Sequence, residues 1–203
     1  LKEFSNINLR FLETDQRLGD GQCLFEARNI LKREKAFAVT MGDLISFPGT
    51  SLIGELKNIY LKNKIPVISV EKIDRSKSRQ YGIIDPEKSD GRIHFLKSII
   101  EKPEPKEAPS EYAMTGKYIL TPKIFGYLGK LLKERGPNEE VKLANALRDY
   151  AKDYKLCAYT CKNRHFDTGN KADLIKTELI FALRHPELRK RLRLVFKDIL
   201  KKN

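Results

Sequence analysis

Residues 36–72 read AFAVTMGDLISFPGTSLIGELKNIYLKNKIPVISVEK, and this segment predicts a strand, a helix and a second strand in succession. The run from Ala36 to Met41 is almost continuously apolar, as expected of a strand that is covered on both faces. Ser51 to Lys62 carries apolar residues at helical spacing, and Pro66 to Lys72 forms a second buried strand. A helix that joins two such strands favours a parallel arrangement, so the segment indicates an α/β fold with a mostly parallel sheet.

The rest of the chain continues the alternation of strands and helices and shows no internal repeat. Short alternating segments around the turn-rich PEKSDG predict a hairpin, and Pro186 predicts a break between two terminal helices. The predicted elements are a short strand at Leu9–Leu12, a loop around Gly19 and Gly21, a helix over Gln22–Arg33, hairpin strands at Tyr81–Asp85 and Arg92–Ile100, a strand at Tyr112–Leu120, helices from Pro122 and over Glu139–Asp153, a strand at Leu156–Cys161, and helices over Lys171–His185 and Pro186–Leu200.

The composition predicts one compact domain. A chain of 203 residues with 40% hydrophobic residues is long enough to bury a core of its own. No apolar run approaches the length needed to cross a bilayer, and the first residues show no secretory signal, so we expect a cytoplasmic protein that binds no membrane. The three cysteines are an odd number and argue against a disulfide framework. We therefore expect reduced thiols.

The net charge of +13 raises nucleic acid as a partner, because clustered Lys and Arg gain affinity by releasing phosphate counterions. The charge is spread along the chain, however, and it is densest from Arg184 to Lys202. That segment also carries many apolar residues, which favours a helix that docks on the fold or on a second subunit. Nucleic-acid binding is therefore the weakest hypothesis, and a positive field also suits a nucleoside triphosphate.

Acidic residues stand at two turns that could hold a metal ion. Asp43 follows the first buried strand, and ligands of open α/β sheets bind at the carboxyl ends of strands. Asp167 lies in HFDTGN, between the last predicted strand and a helix. Each residue taken alone is equally well explained as a turn or helix cap. Between them, Glu101 and Lys102 leave a predicted strand together; a carboxylate can accept sugar hydroxyls and an ammonium can pair with phosphate.

The order of six short motifs resembles that of the bacterial UTP–glucose-1-phosphate uridylyltransferases. From about Leu12 to Leu183 the chain carries LGDGQ, FAVTMGD, YGIID, IIEKP, APSEYAMTGKYILTP and FDTGN in succession. Each motif is modest, but six in one order are specific. The resemblance implies a Rossmann-like, GT-A-like three-layer fold with a mixed, mostly parallel central sheet, with residues 1–183 as the nucleotidyltransferase domain and residues 184–203 as a basic amphipathic C-terminal helix.

The same resemblance implies a set of site residues and ligands. Lys102 and Asp43 would be catalytic, and Asp43 and Asp167 would hold Mg²⁺. The implied substrates and product are UTP, glucose 1-phosphate and UDP-glucose, and the implied reaction needs no side-chain nucleophile. From the apolar residues of the terminal helix we also expect a homo-oligomer. The implied nucleotide-binding residues are Gly19, Gly21, Gln22 and Gly42, and the implied sugar-binding residues are Gly82, Glu101 and Gly116.

The chain also departs from the pattern of that family. The family opens with a Gly-rich loop that carries an Arg, and the resemblance begins after that loop, so we expect half of the nucleotide pocket to be missing here. Thr14 stands where the family commonly has a base-reading Gln, and residues 140–146 read EVKLANA where E-x-Q-L-T-D-A is usual. One Asp replaces the usual pair after Gly42. The alternative hypothesis is therefore an inactive or truncated homologue that binds a sugar nucleotide or a protein partner.

Two cysteines and a histidine near the end of the chain also raise the possibility of a zinc site. Cys157, Cys161 and His165 could be drawn as three ligands, but a fourth ligand is missing. We therefore do not favour metal binding by these residues.

Overall fold

The computed structural model describes residues 7–14, 18–46, 51–162 and 165–202. Within these ranges the chain forms seven α-helices and eight strands. In chain order the elements are α1 (Asp20–Glu26), α2 (Arg28–Leu31), β1 (Phe37–Thr40), β2 (Leu44–Ser46), α3 (Leu52–Asn63), β3 (Val67–Lys72), a 3₁₀ helix (Arg75–Gln80), β4 (Gly82–Asp90), β5 (Ile93–Glu101), β6 (Tyr112–Leu120), α4 (Ile124–Glu134), α5 (Leu143–Asp153), β7 (Cys157–Thr160), β8 (His165–Asp167), α6 (Lys171–Arg184) and α7 (Pro186–Lys202).

Six strands form a central sheet in the order β1-β6-β3-β7-β5-β4, and β2 and β8 form a separate two-stranded ribbon. The pairings show that β1, β3, β7 and β4 run in one direction while β6 and β5 run in the other. A mixed sheet is therefore confirmed.

The expectation that the sheet is mostly parallel is wrong for the described strands. Among them, β3 and β7 are the one adjacent pair that is parallel. The crossover from β1 through α3 to β3 does not place these two strands side by side. It leaves one strand position between them, and β6 occupies that position antiparallel to both. The local pattern of strand, helix and strand fixes the direction of β1 and β3 but not which strand lies between them.

Helices cover both faces of this sheet, as a three-layer fold requires. On one face α1, α4 and α5 close the larger core, in which Leu128, Leu143 and Leu147 are fully buried. On the other face α3 packs through Leu56 against Val67 and the side chains of β7. The strands between the two layers are consequently apolar on both sides, which explains why β6 is buried from residue 113 to residue 120.

Several predicted elements are confirmed with small shifts of their ends. Ser51 caps α3 by accepting a hydrogen bond from the Gly54 amide at 3.0 Å. The hairpin of β4 and β5 turns at Gly91, which has a φ of +56°. The segment PEKS, interpreted as part of the turn, instead continues β4, with register shifts around Pro86 because proline cannot donate to the ladder.

Two predictions near the N-terminus are wrong. Residues 9–12 form no strand, and Phe11 is 88% exposed. An apolar triplet without a neighbouring strand has nothing to pair with. Gly21 lies in the first turn of α1 instead of a loop, because the helix begins at Asp20. Gly19 remains outside the helix with a φ of +94°.

The chain ends in two helices that are separated at His185. Helix α7 packs on α6, and most of its residues are exposed, including Leu194 at 64% and Val195 at 49%. In the described ranges, no helix is both long and apolar enough to pass through a membrane.

Candidate functional site

A polar pocket of about 350 Å³ opens where the ends of several strands meet. The strands β4, β5 and β6 supply its floor, the segment after β1 supplies one wall, and the start of α5 supplies the opposite wall. The residues that line it are Asp20, Met41, Asp43, Leu44, Gln80, Tyr81, Gly82, Glu101, Lys102, Met114, Gly116, Tyr118, Glu140, Lys142 and Ala144. The predicted site residues Asp43, Gly82, Glu101, Lys102 and Gly116 are thus brought together around one cavity.

Glu101 stands at the end of β5, directly opposite Gly82 of β4. A Cβ on Gly82 would lie 3.1 Å from Glu101 Oε2 and 3.0 Å from the sulfur of Met114. Because glycine has no Cβ, the Glu101 carboxylate can lie directly against the backbone of residue 82. The other oxygen, Oε1, lies 3.4 Å from the ammonium of Lys142. The half-buried carboxylate of Glu101 is therefore held by a cation on one side and by the bare backbone of Gly82 on the other.

Lys102 follows in a left-handed conformation with a φ of +52°, which is uncommon for a residue with a side chain. Its amide donates to the carbonyl of Tyr81 at 3.0 Å and fixes this turn. The residue is exposed, and its ammonium forms no ion pair with any residue that the structure describes. The turn thus presents a lysine with an available positive charge at the rim of the pocket.

Asp43 and Asp167 are brought together by the ribbon of β2 and β8. Asp43 precedes β2, Asp167 ends β8, and Leu44 pairs with Asp167 in the antiparallel register. Thr168 ties the two ends by donating to the carbonyl of Asp43 from its amide at 2.9 Å and from its hydroxyl at 2.7 Å. A Cβ on Gly169 would lie 3.1 Å from Asp43 Oδ2 and 3.1 Å from Asp167 Oδ1, so the two oxygens are no further apart than twice that distance.

This pair of carboxylates fits a hard divalent cation. Magnesium takes oxygen ligands and is usually held by one or two carboxylates together with substrate phosphates and water. In the described part of the chain, no group of three or more His, Cys, Asp and Glu residues is arranged as a metal site. The two aspartates could thus supply two ligands, and phosphate oxygens and water from the open pocket would have to supply the rest.

Tyr81 lies where the main pocket adjoins a second cavity beside Asp167. It lines the pocket and also a smaller cavity that contains Asp167 and Asp173. Burial raises the pKa of the Tyr81 hydroxyl, and the Asp167 carboxylate raises it further. The tyrosine is therefore a neutral hydrogen-bonding group between the two cavities at neutral pH.

The predicted nucleotide-binding residues of the N-terminal segment lie outside the pocket lining. The amide of Gly21 donates to the carbonyl of Val141 at 2.9 Å, and a Cβ on Gly21 would come within 2.6 Å of that oxygen. Gln22 is 4% exposed and donates to the Thr14 hydroxyl at 2.9 Å. In the described structure, Gly19 and Gly21 therefore serve the contact between α1 and the segment before α5, while Gln22 contacts Thr14. Gly42 is exposed beside Asp43.

Three site features were missed by reasoning from the sequence. Asp20 lines the pocket and accepts a hydrogen bond from the Leu143 amide at 2.9 Å, which caps α5. Lys142 was noted only as a departure from the family pattern. Lys117 is 6% exposed, and burial lowers the pKa of its ammonium. A lysine within the apolar strand YAMTGKYIL was the signal that could have identified it, because a buried charge requires a partner.

The three cysteines are free. Burial raises the pKa of the Cys157 and Cys161 thiols to about 12, so both are protonated at neutral pH. The Cys157 thiol donates to the carbonyl of Pro66 at 3.4 Å within the core.

The fold agrees with the comparisons to known proteins. Residues 1–182 match the nucleotidyl transferase family, and the chain belongs to that family. Members of the family generally use a divalent metal ion.

Among its relatives is the UTP–glucose-1-phosphate uridylyltransferase of Staphylococcus haemolyticus, 33% identical over 95% of this chain and 66% of that protein. The enzyme of the same name from Bacillus subtilis is 33% identical over 95% of this chain and 65% of its own length. A solved UDP-glucose pyrophosphorylase complexed with UDP-glucose superimposes with a TM-score of 0.80 at 27% identity, over 87% of this chain and 66% of that one. A UTP-bound enzyme from Acinetobacter baumannii superimposes with a TM-score of 0.76 at 27% identity, over 89% of this chain and 62% of its own. The chain thus spans a little less than two thirds of these relatives.

Proposed function

We propose that the complete protein to which this chain belongs is a UTP–glucose-1-phosphate uridylyltransferase. It would form UDP-glucose and pyrophosphate from UTP and glucose 1-phosphate. One structural observation carries the proposal: two aspartates that are 124 positions apart converge beside a pocket that also holds Glu101 and Lys102. The names of the relatives support the same reaction and give no support to the alternative of an inactive homologue.

The sugar would occupy the floor of the pocket. Glu101 would accept hydrogen bonds from sugar hydroxyls, since its carboxylate is fixed between Gly82 and Lys142. Gly82 and Gly116 would allow the sugar ring to approach the backbone, because both line the pocket and neither carries a side chain. Lys142 would contribute a second donor at this end of the pocket.

The phosphates would lie between Lys102 and the aspartate pair. In the reaction, a phosphate oxygen of glucose 1-phosphate attacks the α-phosphorus of UTP in line, a new P–O bond forms, and the bond to pyrophosphate breaks. Lys102 would neutralise and orient the attacking phosphate. Asp43 and Asp167 would hold Mg²⁺, which when bound stabilises the charge that develops on the phosphate oxygens. No covalent intermediate on a side chain is needed.

Contacts to the uracil base rest on the family resemblance alone. Gly42 is exposed next to the aspartate pair and suits an approach by the nucleotide. Gly19, Gly21 and Gln22 would contribute through the backbone around α1, at whose start Asp20 reaches the pocket. The division into a catalytic unit at residues 1–183 and a terminal helix at residues 184–203 likewise remains a proposal.

Assembly and location complete the proposal. The exposed apolar residues of α7 suit contact with a second copy, so we expect a homo-oligomer in the cytoplasm. Light scattering of the protein with and without residues 186–203 tests the assembly, and an unchanged particle mass would contradict it.

The activity is tested by measuring pyrophosphate release from UTP and glucose 1-phosphate in the presence and absence of Mg²⁺. The proposal predicts turnover that requires the cation and that is lost in both Asp43→Asn and Asp167→Asn. The double variant should be no worse than either single variant, because losing one ligand already destroys a shared site. Asp90→Asn, at the opposite end of the hairpin, is the matched control and should behave as the unaltered protein. Absence of turnover with every nucleoside triphosphate and sugar 1-phosphate would show that the protein is not such a transferase.

A further inference from the structure

The ribbon of β2 and β8 carries both aspartates but does not belong to the central sheet. Its strands have three residues each and pair with one another. Two-stranded ribbons of this size are marginal by themselves. A cation site built on this ribbon therefore depends on what fastens it to the rest of the fold.

One fastening comes from α6, where Phe181 packs edge-on against the buried Phe166 of β8, and a second comes from β6. The ammonium of Lys117 donates to the carbonyl of Leu44 at 2.5 Å. Leu44 is the residue paired with Asp167 and the immediate neighbour of Asp43. Among the residues that the structure describes, Lys117 is the one buried lysine, so its ammonium has exchanged most of its hydration for this contact.

The position of Lys117 is itself fixed by the sheet. The Ser69 hydroxyl donates to the carbonyl of Lys117 at 2.9 Å and accepts from its amide at 3.1 Å, at an irregularity in the pairing of β3 and β6. Thr115 donates to the same hydroxyl at 2.6 Å. The backbone next to it is fixed as well, since the carbonyl of Gly116 accepts from the Met41 amide at 2.9 Å. A lysine on so rigid a strand can hold a neighbouring segment in place.

We propose that Lys117 is a positioning residue for cation binding, which anchors the β2–β8 ribbon to the central sheet and so holds Asp43 and Asp167 at the edge of the pocket. The inference rests on the proposed function in taking these two aspartates as the cation ligands. Lys117 itself would touch neither the cation nor the substrate.

The charge of Lys117 makes the inference sharply testable. Its ammonium is close enough to interact with the Asp43 carboxylate. By Coulomb's law alone, removing a positive charge near a cation site should tighten cation binding. Loss of an anchor should weaken it, because supporting groups around metal ligands typically contribute tenfold to hundredfold in affinity. The two effects have opposite signs.

The experiment measures Mn²⁺ binding by calorimetry to the full chain and to two variants. Lys117→Met keeps the apolar stem and removes the donor and the charge, and we expect its dissociation constant to rise about tenfold. Lys117→Arg keeps both and should stay within about threefold of the unaltered chain. An unchanged or tighter constant in folded Lys117→Met would overturn the anchor.

Hydrogen exchange separates this inference from the proposed function. In the unaltered protein, the amides of β2 and β8 should be protected to a degree comparable with β6, whether or not Mn²⁺ binds. In Lys117→Met they should exchange at least tenfold faster while β3 and β6 are unchanged. Rapid exchange of the ribbon in the unaltered protein would refute the anchor even if the variant does not fold. Absence of Mn²⁺ binding to a protected ribbon would instead refute the cation assignment.

Discussion

Replacement of Gly116 by alanine tests how closely the segment that carries Asp43 is packed onto β6. Gly116 has a φ of +62°, a conformation that costs an alanine roughly 1 kcal/mol. A Cβ at this position would lie 2.2 Å from Leu44 Cδ1 and 2.9 Å from Met41 Cγ. These side chains must move aside, and overpacking of this kind costs about 1–3 kcal/mol. We therefore expect Gly116→Ala to lose about 2–4 kcal/mol of unfolding free energy in total.

Two further glycine variants are matched controls. Gly91 has nearly the same conformation, with a φ of +56°, but nothing lies within 4 Å of its added Cβ. Gly91→Ala should thus cost only the backbone part, roughly 1 kcal/mol. Gly126 lies in α4 with ordinary dihedrals and open space around it, so Gly126→Ala should stabilise the protein by about 0.5–1 kcal/mol.

Thermal unfolding of the three variants provides the measurement. For a chain of this size, 1 kcal/mol shifts the midpoint by about 2–4 °C, so Gly116→Ala should melt roughly 5–15 °C lower. A loss of unfolding free energy in Gly116→Ala no larger than that in Gly91→Ala would contradict this prediction. In that case the segment from Met41 to Leu44 would not be packed against β6 as described.

Three further predictions concern the network and the pocket. Ser69→Ala removes the hydroxyl that bonds both backbone groups of Lys117, so the free energy of unfolding, measured with denaturant, should fall by about 2–3 kcal/mol. Ser76→Ala, at an exposed position, is the control and should change this free energy little. Lys142→Gln breaks a partly exposed ion pair with Glu101, so it should cost no more than about 1 kcal/mol of stability while raising the KM for glucose 1-phosphate severalfold; an unaltered KM would remove Lys142 from the sugar site. Burial lowers the pKa of His94 below its value in the unfolded chain. Below about pH 6.5 the unfolded chain therefore binds a proton at His94 more readily than the folded protein does. The free energy of unfolding that His94 contributes is present above this pH and is lost as the pH falls below it. The melting temperature should accordingly fall less steeply between pH 7 and pH 5 in His94→Gln than in the unaltered protein or in the exposed control His185→Gln, and equal slopes would contradict this assignment.

The sequence predicts most regular elements because their hydrophobic patterns are long and end at clear signals. The helix α3 begins after the cap Ser51, and β6 occupies the predicted residues 112–120. The strands β2 and β8 were missed, because three residues are too few to show a period. The neighbour of β1 was also beyond prediction, since β6 arrives there from a distant part of the chain and no local pattern encodes that pairing.

The residues of the candidate site likewise include some that the sequence predicts and others that depend on tertiary packing. The position of Asp43 at the end of a strand and the order of the six motifs were enough to predict the grouping around Glu101 and Lys102. The contact of Lys142 with Glu101 depends on how α5 crosses the end of β5, which is a matter of tertiary packing. For the same reason, the glycines around α1 could be named as site residues although in the structure they face the segment before α5.

The most direct test of the account is to locate the cation. Crystals of the complete protein grown with UDP-glucose and Mn²⁺ would show the metal by its anomalous scattering. We expect the strongest peak between the carboxylates of Asp43 and Asp167, with the hexose against Glu101. A metal bound elsewhere, with both carboxylates free of it, would contradict the site that we describe.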